Sequence, residues 1–207
     1  MKVVITGANR DLGIEINKKC LTRGDEVIAS CRDPANVSEL HSLQETNSNS
    51  LQIILLDVIY YHSIELAYKK IFSLFSSIDL LINNAGIILG YTKRYHAFGN
   101  LHTEEITRVF QVNAIVPLLV KEKLYPLVRN GNQPKIVIIS SHQGSNSRKE
   151  GTSTYNYDAS KAALNMFDKS LASYVKQDKA IFLKLHPGWV KTDMGTDRAL
   201  INPPDSI

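Results

Sequence analysis

The chain has 207 residues, of which 43% are hydrophobic and 21% charged, a composition typical of a soluble globular protein. Its formal net charge of +4 could indicate a nucleic-acid partner. The basic residues are spread along the chain, however, so we expect no nucleic-acid binding. No apolar run approaches the ~20 residues of a membrane helix, and Val3–Ile5 is too short for a signal peptide. We therefore predict one domain, residues 1–207, in the cytoplasm and without a membrane association.

The sequence contains two cysteines, Cys20 and Cys31, whose spacing matches no metal-ligand pattern. We therefore predict no metal site. Two free thiols in a reducing compartment are favoured, and a disulfide between the two cysteines is the alternative.

Apolar runs of strand length alternate with amphipathic segments of helix length along the chain. The strand candidates are Val3–Thr6, Glu26–Ser30, Leu51–Leu56, Ile78–Asn83, Lys135–Ser140 and Ile181–His186. The helix candidates are Leu12–Arg23, Asn36–Gln44, Ser63–Phe75, Thr103–Val128 and Tyr157–Val175. Nearly continuous apolar strands are typical of a parallel sheet that is buried on both faces. The alternation predicts an α/β fold, a Rossmann-type doubly wound parallel sheet in three layers, α/β/α.

The turn after the first strand, Thr6–Gly13, contains two glycines. Glycine is favoured where the backbone has a positive φ or must approach a phosphate closely. The helix that follows offers free N–H groups and its positive dipole end to that phosphate. Because ligands bind at the carboxyl ends of parallel strands, Gly7 and Gly13 predict a nucleotide site that begins at this turn.

This turn resembles the T-G-x-x-x-G-x-G turn of the short-chain dehydrogenase/reductase family. The resemblance implies that the cofactor is contacted by Gly7, Asn9, Arg10, Leu12 and Gly13. One position departs from the pattern, because Asp11 stands in place of the middle glycine. Aspartate tolerates unusual backbone conformations, but its carboxylate repels a pyrophosphate. We therefore expect weakened cofactor binding, which Arg10 partly offsets.

The end of the second strand distinguishes between NAD and NADP. An acidic residue about 20 residues beyond the glycine turn holds the ribose of NAD, whereas a basic residue accommodates the extra phosphate of NADP. Cys31 occupies the position of the acid, and Arg32 follows it. Because a guanidinium binds phosphate with two hydrogen bonds, Arg32 predicts NADP(H) as the cofactor. Asp33 has the opposite charge, and we interpret it as a turn residue before Pro34.

Three further segments resemble cofactor-binding segments of the same family. Asp57 and Val58 follow the third strand, where the family contacts the adenine. Asn83–Gly86 resembles the family's N-N-A-G segment, so Asn84, Ala85 and Gly86 are expected beside the cofactor. Pro187–Thr192 resembles the family's P-G turn, which implies contacts with the nicotinamide from Pro187, Gly188, Val190 and Thr192.

Tyr157 and Lys161 form a Y-x-x-x-K pattern. Residues four apart share one face of a helix, so the phenol and the ammonium can point into the same cleft. Because a nearby ammonium stabilises a phenolate, we expect Lys161 to lower the pKa of Tyr157 and make it a usable general acid or base. Tyr155 has no lysine four residues later. In the family the lysine also holds the nicotinamide ribose, so the pair is expected to contact the cofactor as well.

Ser141 and Asn113 complete the catalytic set that the resemblance implies. The family places its serine shortly before a glycine, which favours Ser141 over Ser140. A hydroxyl there can donate to the substrate oxygen as negative charge develops. Asn113 matches the family's helix asparagine, which holds a water in a proton path to the lysine. His142 is interpreted as a loop histidine, because the G-x-S-x-G pattern of hydrolases is missing.

The long gap between Ser141 and Tyr157, with the flanking segments, resembles the C-factor and Sniffer-like carbonyl reductases of this family. Those proteins continue with a last helix and strand, so we expect both to be missing and one sheet edge to be uncovered. The leading hypothesis is an NADPH-dependent reductase of a small carbonyl compound. The alternative is a weakly active or inactive nucleotide-binding signalling protein of the C-factor type. Relatives pair through the helices of Asn113 and Tyr157, which implies a homodimer or homotetramer.

Overall fold

A computed structural model describes residues 1–89, 99–149 and 154–207 of the chain. Its strands are β1 (Lys2–Thr6), β2 (Glu26–Cys31), β3 (Leu51–Leu55), β4 (Leu80–Asn83), β5 (Lys135–Ile139) and β6 (Ile181–Leu185). Its helices are α1 (Asp11–Thr22), α2 (Ser38–Thr46), α3 (Tyr61–Leu74), α4 (Thr103–Phe110), α5 (Val116–Val128), α6 (Tyr155–Val175) and α7 (Pro203–Ser206). A π-helical turn, Gln111–Ile115, joins α4 to α5, and 3-10 turns form at His142–Gly144, Asn146–Arg148 and Lys176–Asp178.

The described strands form one parallel sheet in the order β3-β2-β1-β4-β5-β6. One hydrophobic core lies on the face covered by α3, α5 and α6, and a second core lies under α1 and α2. The predicted three-layer, doubly wound α/β fold is therefore confirmed. The strand order reverses between β1 and β4, and ligands bind at such a switch point in open parallel sheets.

The segment predicted as one helix, Thr103–Val128, is instead two α-helices separated by the π-helical turn. In this turn the Val116 N–H donates to the Gln111 carbonyl, five residues back. Pro117 explains the interruption, because proline has no N–H to donate to the carbonyl four residues earlier, that of Asn113. The prediction of a single helix was wrong here, and the catalytic candidate Asn113 lies inside the irregular turn.

Strand β6 forms one edge of the sheet, and its apolar side chains are incompletely covered. Ile181, Leu183 and Leu185 are each more than 40% exposed. The segment after β6 turns back on itself, since the Lys191 N–H donates to the Ile201 carbonyl at 2.8 Å. Among the described residues, no helix is long and apolar enough to cross a membrane.

The core between α5 and α6 contains a buried ion pair. Lys121 and Asp168 are both fully buried, and the lysine donates to one carboxylate oxygen. Burial raises the pKa of Asp168 and lowers that of Lys121, so the low-polarity surroundings disfavour both charges. The attraction between the two charges opposes this cost, and neither group is well accommodated without the other.

We expect Lys121→Met to destabilise the fold by about 3–5 kcal/mol, because the buried Asp168 carboxyl group loses its partner. The double variant Lys121→Met/Asp168→Leu should recover most of this loss, since it leaves an apolar contact of similar volume. Urea unfolding monitored by circular dichroism measures both changes.

Lys123→Met is the matched control for this experiment, because Lys123 pairs with Glu65 at the surface. It should leave the urea midpoint unchanged. Equal losses in Lys121→Met and Lys123→Met would contradict the importance of the buried pair.

Candidate active site

Most of the predicted site residues line a single cleft of about 870 Å³ at the carboxyl ends of the strands. The lining includes Gly7, Asn9, Arg10, Leu12, Arg32, Asp57, Val58, Asn84, Ala85, Gly86, Ser141, Tyr157, Lys161, Pro187, Gly188, Val190 and Thr192. Gly13 and Asn113 do not line the cleft. Gly13 packs against Gly7, and Asn113 is hydrogen-bonded to Ile87, and both of these partners line it.

Two glycines allow the backbone of the first turn to pack closely. Gly7 has a φ of +62°, and a Cβ on it would lie 2.8 Å from the Cα of Ala85. A Cβ on Gly13 would overlap the carbonyl oxygen of Gly7. A side chain at either position would push the turn away from the segment after β4 or from helix α1. The backbone of this turn therefore forms one wall of the cleft.

Two asparagines hold the turn in place by hydrogen bonds to its carbonyl groups. Asn84 Nδ2 donates to the carbonyl oxygens of Thr6 and Gly7, at 3.2 and 2.8 Å. Asn17, on α1, donates from Nδ2 to the carbonyls of Ala8 and Gly13 at 2.9 and 2.8 Å. Asn84 was predicted from the sequence, whereas Asn17, which is fully buried, was missed. The available signal was its spacing, three residues after Ile14 and three before Cys20, which places a polar side chain on the apolar face of α1.

Asp11 adopts the left-handed conformation that its position demands, with a φ of +51°. Its carboxylate accepts a hydrogen bond from the Asp193 N–H at 3.3 Å, in the loop after β6. Arg10 lies between the two acids, with Nη1 3.1 Å from Asp193 and Nε 3.8 Å from Asp11. Burial raises the pKa of Asp11, and the Asp193 N–H and Arg10 partly oppose this rise. The Asp11 carboxylate is thus hydrogen-bonded to the loop after β6, on the other side of the cleft.

The far end of the cleft is formed by the residues that follow β2 and β3. Cys31 is buried and Arg32 is exposed beside it, and both line the cleft. Asp33 accepts from the Ala35 N–H at 3.2 Å, which confirms that it is a turn residue. The Asp57 carboxylate accepts from the Ile59 N–H at 3.1 Å, so this predicted adenine contact is held in one orientation. Cys20 and Cys31 are free thiols in the structure.

Helix α6 fixes the end of β5 through Asn165 and Gly144. The Ser140 hydroxyl donates to Asn165 Oδ1 at 2.8 Å, and Asn165 Nδ2 donates to the Gly144 carbonyl at 3.2 Å. A Cβ on Gly144 would lie 2.8 Å from the backbone carbon of Lys161. Because Ser140 is committed to Asn165, Ser141 is the serine whose hydroxyl is available beside Tyr157.

Burial dominates the electrostatics of Tyr157 and Lys161. It raises the pKa of Tyr157 to about 12, although a hydrogen bond with Ser141 lowers this pKa. It also lowers the pKa of Lys161 to about 8, although the charge of Asp168 raises that value. Lys161 Nζ lies 5.7 Å from the centre of the Tyr157 ring and donates to the Ile139 carbonyl at 3.0 Å. The expectation that Lys161 lowers the pKa of Tyr157 was wrong for this structure, because desolvation raises this pKa and the hydrogen bond with Ser141, not Lys161, opposes the rise.

Asn113 anchors the segment after β4 from behind the cleft. Its Oδ1 accepts from the Ile87 N–H and its Nδ2 donates to the Ile87 carbonyl, both at 2.8 Å. Nδ2 also donates to the Ser160 hydroxyl at 3.1 Å. A Cβ on Gly86 would lie 3.6 Å from Asn113 Oδ1 and 3.7 Å from Lys161 Nζ. The Asn113 side chain therefore positions the backbone beside Lys161.

The loop after β6 closes the other side of the cleft. Gly188 has a φ of +89°, and a Cβ there would clash with the side chain of Ile201. The Thr192 hydroxyl accepts from the Gly195 N–H at 2.9 Å. Trp189 Nε1 donates to the Gly195 carbonyl at 2.8 Å, so the indole ring is held at the edge of the cleft.

The cleft also contains residues that sequence reasoning did not assign. Arg108 from α4 lines it, as do His142 and His186. His142 begins a 3-10 turn, and its ring contacts the ring of His186. The position of His186 directly before the Pro187 turn was the available signal. Among the described residues, no group of three or more His, Cys, Asp or Glu side chains could hold a metal ion.

Comparison with known proteins agrees with this geometry. The family model described as short chain dehydrogenase matches residues 1–200. The chain is 35% identical over 130 residues to C-signal of Myxococcus xanthus, covering 63% of this chain and 76% of that protein. The carbonyl reductase Sniffer of D. melanogaster has a TM-score of 0.92 and 28% identity, covering 99% of this chain and 87% of that chain.

An NADPH-bound carbonyl reductase from chicken fatty liver has a TM-score of 0.89 and 31% identity, covering 99% of this chain and 83% of that chain. The chain therefore belongs to the short-chain dehydrogenase family. The resemblance to the C-factor and Sniffer-like proteins that the sequence predicted is confirmed.

The buried Lys161 provides a test of the electrostatics of the site. In the ligand-free protein, NMR titration of the lysine side chains should show Lys161 changing charge near pH 8, as an ammonium below this value and a neutral amine above it. Lys18 is the control, because hydrogen bonds to Glu15 and Glu39 raise its pKa. A Lys161 that titrates near the ordinary lysine value of about 10.4 would show that burial does not control it.

Proposed function

We propose that the protein is an NADPH-dependent reductase of small carbonyl compounds. The observation that carries the proposal is the arrangement of Ser141, Tyr157 and Lys161 in one cleft with the glycine turn. A polar catalytic group at one end and a phosphate-binding turn at the other suit a long dinucleotide and a small second substrate. The similar chicken and fly proteins are both carbonyl reductases, which supports the same class of reaction.

The residues present fit a dinucleotide. The turn that contains Gly7 and Gly13 offers a wall of bare backbone that a Cβ at either position would disrupt. Arg32 is exposed at the end of the cleft where an extra ribose phosphate would lie, and the described residues give it no ion-pair partner. When bound, the cofactor supplies a hydride to the carbonyl carbon.

The proposed chemistry places Tyr157 as the general acid. An ordinary tyrosine has a pKa near 10 and is protonated at neutral pH, and burial raises the pKa of Tyr157 further. Tyr157 therefore carries the proton that the oxygen needs when it becomes a hydroxyl. Ser141 is hydrogen-bonded to Tyr157 in the ligand-free protein, and with substrate bound its hydroxyl hydrogen turns to the same oxygen as negative charge develops. Lys161 holds the nicotinamide ribose, and Asn113 supports the proton relay by positioning the segment beside Lys161.

The proposal includes Asp11, which replaces a glycine of the family pattern. Its carboxylate is held by the Asp193 N–H and faces Arg10, and these contacts reduce its repulsion of a pyrophosphate. Cofactor binding is therefore weakened less than the sequence alone suggests.

Tyr157→Phe tests the chemistry. We expect it to lower kcat for NADPH-dependent reduction of a generic aldehyde or quinone by about 10²–10⁴-fold, because the proton donor is lost. The affinity for NADPH, measured by fluorescence titration, should change little. Tyr155→Phe is the matched control on the same helix and should retain wild-type kcat. Equal activity of wild type and Tyr157→Phe would refute the enzymatic assignment of this tyrosine.

A second candidate function is supported by the similarity to a protein named C-signal. In this alternative the chain is a nucleotide-binding signalling protein with weak or no turnover. The same experiment separates the two functions, since tight NADPH binding without turnover favours the signalling protein.

Arg32 tests the choice of cofactor. Arg32→Ala should weaken NADPH binding by about 10- to 100-fold, because charge-assisted hydrogen bonds to the phosphate are lost. NADH binding should be unaffected. Arg129→Ala, at the exposed end of α5, is the control and should change neither affinity. A wild-type preference for NADH would contradict the assignment of Arg32.

A further inference from the structure

The cleft contains a histidine pair that the proposed reaction does not use. His142 Nδ1 and His186 Nε2 are 2.8 Å apart, and the ring centres are 4.5 Å apart with 72° between the ring planes. His142 directly follows Ser141, and His186 directly precedes Pro187. The pair therefore lies beside the proposed reaction centre, where β5 and β6 end. Both side chains are exposed to the cleft and accessible to a ligand.

The hydrogen bond between the rings determines what their outer nitrogens, His142 Nε2 and His186 Nδ1, can offer. A neutral imidazole carries one N–H, so a neutral pair always presents one outer donor and one outer acceptor. Uptake of one proton from solvent gives a cation that shares the inner proton and has an N–H on both outer nitrogens. Such a cation can bind one anionic group with two charge-assisted hydrogen bonds.

The described part of the chain provides no countercharge for that cation. No carboxylate among these residues is hydrogen-bonded to either ring, and the acids that line the cleft already accept hydrogen bonds elsewhere. These acids are Asp11, Asp33, Asp57 and Asp193. Burial, and the charge of His142 when that ring is protonated, lower the pKa of His186, so a proton on both rings at once is disfavoured. An anionic group on a ligand would supply the missing charge.

The cleft that contains the pair also has apolar lining residues. Leu89, Trp189 and Met194 line the same cleft, and the hydrogen bond from Trp189 to Gly195 fixes the indole ring. Small-molecule sites are mostly apolar, with a few polar groups that fix orientation. The surroundings therefore suit a molecule with an apolar body and one anionic group.

We propose that His142 and His186 recognise a carboxylate on the carbonyl substrate, so that the substrates are oxo acids with an apolar body. This inference rests on the proposed reductase function. It makes the two histidines determinants of specificity rather than of the hydride and proton transfers.

The test compares 4-carboxybenzaldehyde with its methyl ester, methyl 4-formylbenzoate, which replaces the carboxylate by a neutral group, with NADPH at fixed pH. Wild type should have a higher kcat/KM for the acid. His142→Phe and His186→Phe should each lower kcat/KM for the acid by about 10- to 100-fold and leave that for the ester nearly unchanged. His62→Phe, an exposed histidine on α3, is the control and should preserve the preference.

A second readout does not need turnover. In NMR titrations with 4-(hydroxymethyl)benzoate, the reduced form of the acid, the ring protons of His142 and His186 should shift towards the protonated form, and its methyl ester should cause no such shift. Reduction of both aldehydes with no preference, or a preference that survives both substitutions, would overturn this inference and leave the reductase intact. Absence of turnover of either aldehyde, with the NMR shifts present, would instead overturn the reductase and keep the anion site.

Discussion

Close backbone packing between the turn after β1 and the segment after β4 is the constraint on which the site depends. Gly7 leaves room for Ala85, and Asn84 donates to the carbonyls of Thr6 and Gly7. Because β1 and β4 flank the point where the strand order reverses, this contact lies at the edge of the sheet where a ligand is expected to bind. The cleft between them receives the glycine turn from one half and Ser141 and Tyr157 from the other.

Desolvation is the main electrostatic effect on the buried ionisable groups of α5 and α6. It raises the pKa of Tyr157, lowers that of Lys161 and acts against both partners of the buried pair Lys121 and Asp168. Asp168 links the buried ion pair to the candidate site electrostatically, since its charge also raises the pKa of Lys161. Desolvation therefore favours the protonated phenol of Tyr157, which is the form that the proposed proton donation requires.

Much of the fold could be predicted from the sequence, because buried parallel strands and amphipathic helices have distinct periodicities. The main error, the single helix Thr103–Val128, came from giving Pro117 too little weight beside a strong helical pattern. In the candidate site, residues in contiguous motifs were predicted, such as Tyr157 with Lys161. His186 was not predicted, because its partner His142 follows another strand and is 44 residues away in sequence. Asn17 was also missed, although its partners Ala8 and Gly13 are near in sequence, because it belongs to no contiguous motif.

The sequence by itself determined the doubly wound sheet, the family and the set of candidate residues, since each is encoded in local spacing. Only the tertiary structure decided which charged groups meet and in which direction their pKa values shift. Asp11 is separated from Asp193 by most of the chain, yet the two meet across the cleft. The pKa values of Tyr157 and Lys161 depend on burial, which comes from packing of several elements. Residue type and spacing specify which groups are present, but the environment that tunes them exists only when the chain is folded.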